Sequence, residues 1–131
     1  MHPLHNFLLF IGRLLIAAVF IYDAWVMAQS WDATVQYMES FGVPGVLLPL
    51  VAACQAIGGL MIVFGIFTRF AAAAFAAYCV ATALVFHHNL ADAGEITQAA
   101  KDLAIAGGFL FLAAGGPGAW AIDRHRNRGA V

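Results

Sequence analysis

Six polar side chains draw the eye because long apolar runs surround them. Asp23 falls near the end of the run "FLLFIGRLLIAAVFIYDAWVM", Gln55 lies in the middle of a second, His87 and His88 close a third, and Lys101 with Asp102 opens a fourth. An imidazole takes up and releases protons near neutral pH, a carboxylate does so where burial disfavours its charge, and a primary amide holds a hydrogen bond without titrating. A lysine can neutralise a carboxylate or donate to a ligand oxygen. A second set consists of Arg13, within the first run, and Asp123, near the end of the chain. Ionisable groups inside such runs are costly and usually face a bundle interior or an aqueous cavity.

The elements that must position them are transmembrane helices. Of the 131 residues 63% are hydrophobic and only 10% are charged, with a mean hydropathy of +0.87. A soluble domain needs about a quarter charged residues to cover its surface, so lipid must be the solvent here. Spans are expected at about 7–27, 46–67, 70–88 and 99–115, followed by a polar tail over 119–131. One domain accounts for all of them. Between the first two spans, Trp31, Val35, Met38 and Phe41 recur at helical spacing, which suits a short amphipathic helix in the interface. The expected fold is therefore all-α, an integral membrane four-helix bundle. Thr68-Arg69 makes so short a connection that the second and third spans must be antiparallel neighbours. Arg69, Arg124, Arg126 and Arg128 fall at one end of such a bundle, while Asp32, Glu39, Asp92 and Glu95 fall at the other. The positive-inside rule then places both termini in the cytoplasm. No secretory leader is expected, because Arg13 interrupts the first run and no clear small-residue cleavage site follows.

At 1.5 Å rise per residue, Asp23 lies about 6 Å below the outer interface and Gln55 roughly 14 Å below it. Asp23, Gln55, His87 or His88, Lys101 and Asp102 thus approach a common outer region. Two readings stand. These residues could line an outward-opening polar pocket, or Asp23 could pair with Lys101 while the others meet water or headgroups. Adjacent histidines point about 100° apart, so one of them turns away in either case. Arg13 could snorkel to the inner side or pair with Asp123, tying the first span to the end of the fourth. Gly58, Gly65, Ala104, Gly107 and Gly108 read as places of close helix approach. Cys54 and Cys79 form no C-x-x-C pair and read as buried small thiols. No metal site is expected from their spacing, facing helices offer no pair of haem-binding histidines, and the net charge of -1 offers no field for nucleic acid. Tyr22 and Tyr78 read as interfacial or packing residues.

The ordered pieces resemble the DoxX family of small bacterial membrane proteins. Gly12-Arg13, Phe-Gly-Val-Pro at 41–44, Gly58-Gly59-Leu60, Gly65 with Thr68-Arg69, His87, Lys101, Gly107-Gly108, and Gly116-Pro117-Gly118 with Asp123 carry the likeness along almost the whole chain. The resemblance implies a multi-pass protein of the bacterial inner membrane. It also implies a link to redox or oxidative-stress complexes, since the family is named for its similarity to a subunit of an archaeal thiosulfate:quinone oxidoreductase. The chain departs from the family pattern at Gln55, where relatives often carry Glu, and at Asp23, Trp25 and Met27, where a small residue and a Lys are frequent.

Three functions are open at this level. The first is a subunit or accessory of a quinone-linked membrane oxidoreductase, with Asp23 and His87 handling protons, Gln55 donating at depth, and Lys101 with Asp102 at the rim. The second is a non-enzymatic scaffold or assembly factor for a redox complex. The third, weaker, is a small-solute channel or transporter, for which the broken-helix repeats of such proteins are missing. No self-contained catalytic motif is visible. A quinone is the one cofactor these readings admit; the partners they admit are the bilayer, a soluble or membrane redox protein, and a second copy of the chain.

Overall fold

A computed structural model describes residues 3–86 and 91–124. The chain forms α1 (Pro3–Gln29), α2 (Trp31–Ser40), α3 (Leu48–Phe64, entered through a single 3-10 turn at Gly45–Leu47), α4 (Thr68–Phe86) and α5 (Ala93–Gly115), with no strand among the described residues. Four of these helices, with the 3-10 turn counted into the second, are long and apolar enough to cross a bilayer. α2 is the short amphipathic helix between the first two spans.

Local chemistry sets the boundaries. Pro49 stands in the first turn of α3, where its missing N–H removes no helical bond. Gly65 ends α3 in the left-handed region at φ 73°, and Ile66 N donates back to Met61 O at 2.9 Å. Side chains other than Gly pay for that conformation in strain. α5 starts at Ala93, about six residues ahead of the span expected from hydropathy. Asp92 explains the difference: its carboxylate accepts from Gly94 N at 2.8 Å and caps the helix, so a polar first turn is helical although it is not apolar.

The core is a stack of three rings, one from each of α1, α4 and α5. Phe20 and Phe75 lie 4.5 Å apart between centroids, Phe75 and Phe109 5.1 Å, and Phe20 and Phe109 5.5 Å. Ala17, Ile62, Ala72, Ala76 and Ala106 fill the space around them. Gly58 admits this stack, because a Cβ there would sit 2.6 Å from the Phe75 ring. Gly108 likewise receives Ile16, but Gly107 faces open space and Ala104 is exposed. The expected notch on the last span is therefore one residue wide. α3 and α4 do neighbour each other, yet the more extensive pairings are α4 with α5 and α1 with α3. Alanines on one face of α4 (Ala71, Ala72, Ala76 and Ala83 are all buried) let backbones approach where the turn alone does not require it.

One expectation needs correction. Cys79 is buried, but Cys54 is exposed on the surface of α3. An apolar run predicts burial only in water; in a membrane bundle a helix presents apolar side chains to lipid as readily as to its neighbours.

Candidate functional site

Beneath α2 the bundle opens into a cavity of about 530 Å³. Every helix contributes to its wall: Phe20, Asp23 and Met27 from α1, Tyr37 and Met38 from α2, Val51 from α3, Tyr78, Cys79, Thr82 and Phe86 from α4, and Gln98, Lys101, Asp102 and Ile105 from α5. The helical stripe Phe75, Tyr78, Cys79, Thr82, Phe86 has the spacing that keeps residues on one face, and α4 turns that face inward.

α2 forms the roof through aromatic contact. Tyr37 stacks on Phe86 at 5.5 Å, and Phe41 meets both Tyr37 and Phe86 at 5.1 Å. Met38 is buried beneath the helix. The Tyr37 hydroxyl is pushed above its ordinary value by partial burial, with the Glu95 and Asp102 carboxylates adding to the effect, so it stays neutral at physiological pH.

The polar part of the wall centres on Gln55. Its side chain is 1% exposed, and Nε2 donates to the Tyr78 hydroxyl at 2.7 Å. The same side chain lies near enough to the Asp23 carboxyl to act on it electrostatically. One amide on α3 thus stands between a carboxyl on α1 and a phenol on α4. Because Tyr78 Oη accepts from Gln55, its own proton is left to donate elsewhere. Gln55 Oε1 is buried without a partner. Asp23 itself is exposed and lines the cavity. Gln55 is the side chain that acts on it, and among the described residues no ion pair joins it to Lys101. Lys101 is exposed and Asp102 half-buried, both in the cavity wall.

Comparison with known proteins adds the family. The DoxX family profile matches residues 8–88. The inner membrane protein YqjF of Escherichia coli strain K12 is 43% identical over 118 residues, covering 90% of this chain and 91% of YqjF. The chain belongs to the DoxX family. The inner membrane protein YphA of the same organism is 37% identical, covering 89% of each chain. This DoxX protein is accordingly a multi-pass inner-membrane protein. No solved structure gives a significant match.

Of the residues singled out in the sequence, this DoxX bundle brings Asp23, Lys101 and Asp102 to one cavity, with Gln55 directly behind its wall. His87 and His88 lie outside the described residues, as does the tail after Arg124. Tyr78, read from the sequence as a packing residue, is both a wall residue and the partner of Gln55. Its position on the Phe75–Phe86 stripe carried that signal. Tyr37 and Gln98 had none, because the sequence does not say where α2 lies against the bundle. Among the described residues no group of three His, Cys, Asp or Glu could hold a metal ion.

At the opposite end, Arg13 is 2% exposed and donates to three backbone carbonyls: Nη1 to Pro117 O at 2.9 Å, and Nη2 to Val63 O at 3.0 Å and Trp120 O at 2.8 Å. Its guanidinium also lies 5.4 Å from the Phe10 ring centre. Asp123 attracts it electrostatically. The Asp123 carboxylate accepts from Phe67 N at 2.8 Å and Thr68 N at 2.7 Å, capping α4, while Asp123 N donates to Gly65 O at 2.8 Å. The guanidinium therefore ties α1 to the end of α3 and to the segment after α5.

Proposed function

We propose that this DoxX-family protein holds a small amphipathic molecule of the quinone type in the cavity beneath α2, as the membrane part or accessory of an oxidoreductase system. The observation that carries the reading is the make-up of that cavity. Aromatic and aliphatic side chains cover most of its wall, and Asp23, Tyr78, Lys101 and Asp102, with Thr34, Thr82 and Gln98, supply polar groups. Its volume falls in the range of about 300–1,000 Å³ usual for small-ligand sites. Such a wall suits a flat ring with polar oxygens better than a fully polar solute.

The residues divide the work by chemistry. Phe20, Tyr37 and Phe86 offer ring faces. The Tyr78 hydroxyl, fixed by Gln55, donates to a ligand oxygen, and Lys101 offers a second donor near the rim. Asp23 is the group able to give or take a proton, and the Gln55 amide holds its orientation without itself titrating. A bound quinone supplies the capacity to accept electrons. On the topology argued from Arg69 and the tail arginines, the cavity lies toward the outer face of the membrane and both termini toward the cytoplasm.

A scaffold reading draws on the Arg13 network, which serves helix association and nothing catalytic. The two readings separate in one experiment. The protein is purified in mild detergent, and co-extracted quinones and lipids are identified by mass spectrometry. Wild type should carry a quinone that Val51→Trp, which fills the cavity, has lost, and Asp23→Asn should hold it more weakly. Preparations of all three with no bound quinone, under conditions that keep the bundle folded, would leave the scaffold reading in place.

A further inference from the structure

A second pocket, of about 400 Å³, lies at the other end of the bundle, where α1 and α4 begin and α5 has ended. We propose that it binds the phosphate group of an anionic phospholipid headgroup. His5, Arg69 and Arg124 stand in its wall, with Asp123 as the one acidic side chain. That carboxylate is engaged by the Phe67 and Thr68 amides and attracted by Arg13, so the two arginines dominate the field at the mouth. Arg69 is pre-positioned. Its Nη1 donates to Ala114 O at 3.0 Å, one of five donors the group possesses, and a Cβ on Gly116 would crowd Nη2 at 3.0 Å. Glycine there lets the guanidinium lie flat against the backbone.

The second observation is Thr68. It lines the pocket and is 0% exposed, yet its hydroxyl has no hydrogen-bond partner. A threonine at a helix start ordinarily uses that oxygen to cap the helix. Here Asp123 does the capping from another part of the chain, which leaves the hydroxyl over. A buried hydroxyl without a partner costs free energy, and a phosphate oxygen accepts its proton once the side chains that cover Thr68 give way to the headgroup.

The remaining wall selects between sources of phosphate. Phe67 and Phe70 are 55% and 74% exposed beside the arginines. Phe67 is also held in the left-handed region at φ 47°, uncommon for a residue with a bulky side chain. Aromatic surface next to paired arginines, at the end of transmembrane helices, fits a headgroup with its acyl chains attached better than a free anion. Basic pockets between transmembrane helices are suited to such headgroups.

The test is native mass spectrometry of the detergent-solubilised full chain, offered phosphatidylglycerol, phosphatidylethanolamine or inorganic phosphate. Wild type should retain phosphatidylglycerol in clear preference to the zwitterionic lipid, and inorganic phosphate alone should not be retained. Arg69→Gln and Arg124→Gln should each weaken retention roughly fivefold, the share of one arginine near a membrane surface. Arg69→Gln also removes a helix-end contact, so circular dichroism checks the fold of every variant, and Thr68→Val, close to the same size and leaving both arginines in place, should lower retention as well. Equal retention of the two lipids, or of phosphatidylglycerol by wild type and all variants, overturns the proposal. Weaker retention in the arginine variants with Thr68→Val unchanged would mean diffuse attraction and no built site. Retention of inorganic phosphate by itself would overturn the lipid assignment. Because the pocket is at the opposite end from the α2 cavity, none of these results depends on a quinone binding there.

Discussion

Replacing Arg13 by Met keeps the length of the apolar stem and deletes three hydrogen bonds from a charged donor to Val63 O, Pro117 O and Trp120 O. Hydrogen bonds to charged groups contribute about 1.5–3 kcal/mol each, so a simple sum would be largest if nothing replaced them. Removing the charge also abolishes its burial cost, which offsets part of that sum. The carbonyls stand at the end of α3 and in the segment after α5, where some can turn to water once the guanidinium is gone. A net loss of about 3–5 kcal/mol is expected, the range found for breaking buried ionic contacts. Unfolding in mixed micelles with increasing SDS, followed by circular dichroism, measures it. At 1.4 kcal/mol per factor of ten, the equilibrium should shift more than a hundredfold toward the unfolded state. Arg13→Lys should fall between, since a point charge on a flexible stem cannot reproduce the planar fork. Edge contacts from Phe7 and Phe10 to Trp120, at 6.3 and 5.5 Å, should loosen in the same variants. A loss below about 1 kcal/mol for Arg13→Met would refute the clamp, because buried donors and acceptors of this kind are costly to strand.

Other outcomes follow from the same geometry. Gly58→Ala should destabilise the bundle by about 1–3 kcal/mol in the same assay, since Phe75 is held between Phe20 and Phe109 and cannot yield. Asp92→Ala should cost about 1 kcal/mol and speed hydrogen exchange at the Gly94 and Glu95 amides, leaving exchange in the middle of α5 unchanged. The Tyr37 value is raised in the folded protein, so its part in holding α2 is fully present below the ordinary tyrosine value of 10.0 and is lost as pH rises through the folded value. Alkaline difference absorbance should show that late titration in wild type and not in Tyr37→Phe. Single cysteines placed at Asp32 and Arg124, in a chain with Cys54→Ala and Cys79→Ala, should react with an impermeant maleimide from opposite sides of the membrane, Asp32 from outside; labelling of both from one side would overturn the topology.

The spans and the interfacial helix were legible in the sequence because lipid demands them. Only long uncharged runs can satisfy a bilayer, and their number and approximate ends follow from composition alone. That Asp23, Gln55, Lys101 and Asp102 come to one level of the bundle followed too, since rise per residue is fixed along a helix. Rotation about the helix axis and the choice of neighbours did not, because in lipid an apolar face carries no mark of whether it meets a protein or an acyl chain. Cys54 facing outward, α4 preferring α5, and a notch reduced to Gly108 all come from that ambiguity. The partners of the polar residues were equally hidden. Charge complementarity in the sequence couples Asp23 with Lys101, whereas the folded chain sets Asp23 beside the Gln55 amide. It also couples Arg13 with Asp123, and the guanidinium, attracted by that carboxylate, donates as well to three backbone carbonyls that no sequence pattern marks. Side-chain types are written in the sequence, but backbone acceptors are the same at every residue, and only the tertiary structure decides which of them a buried donor can reach.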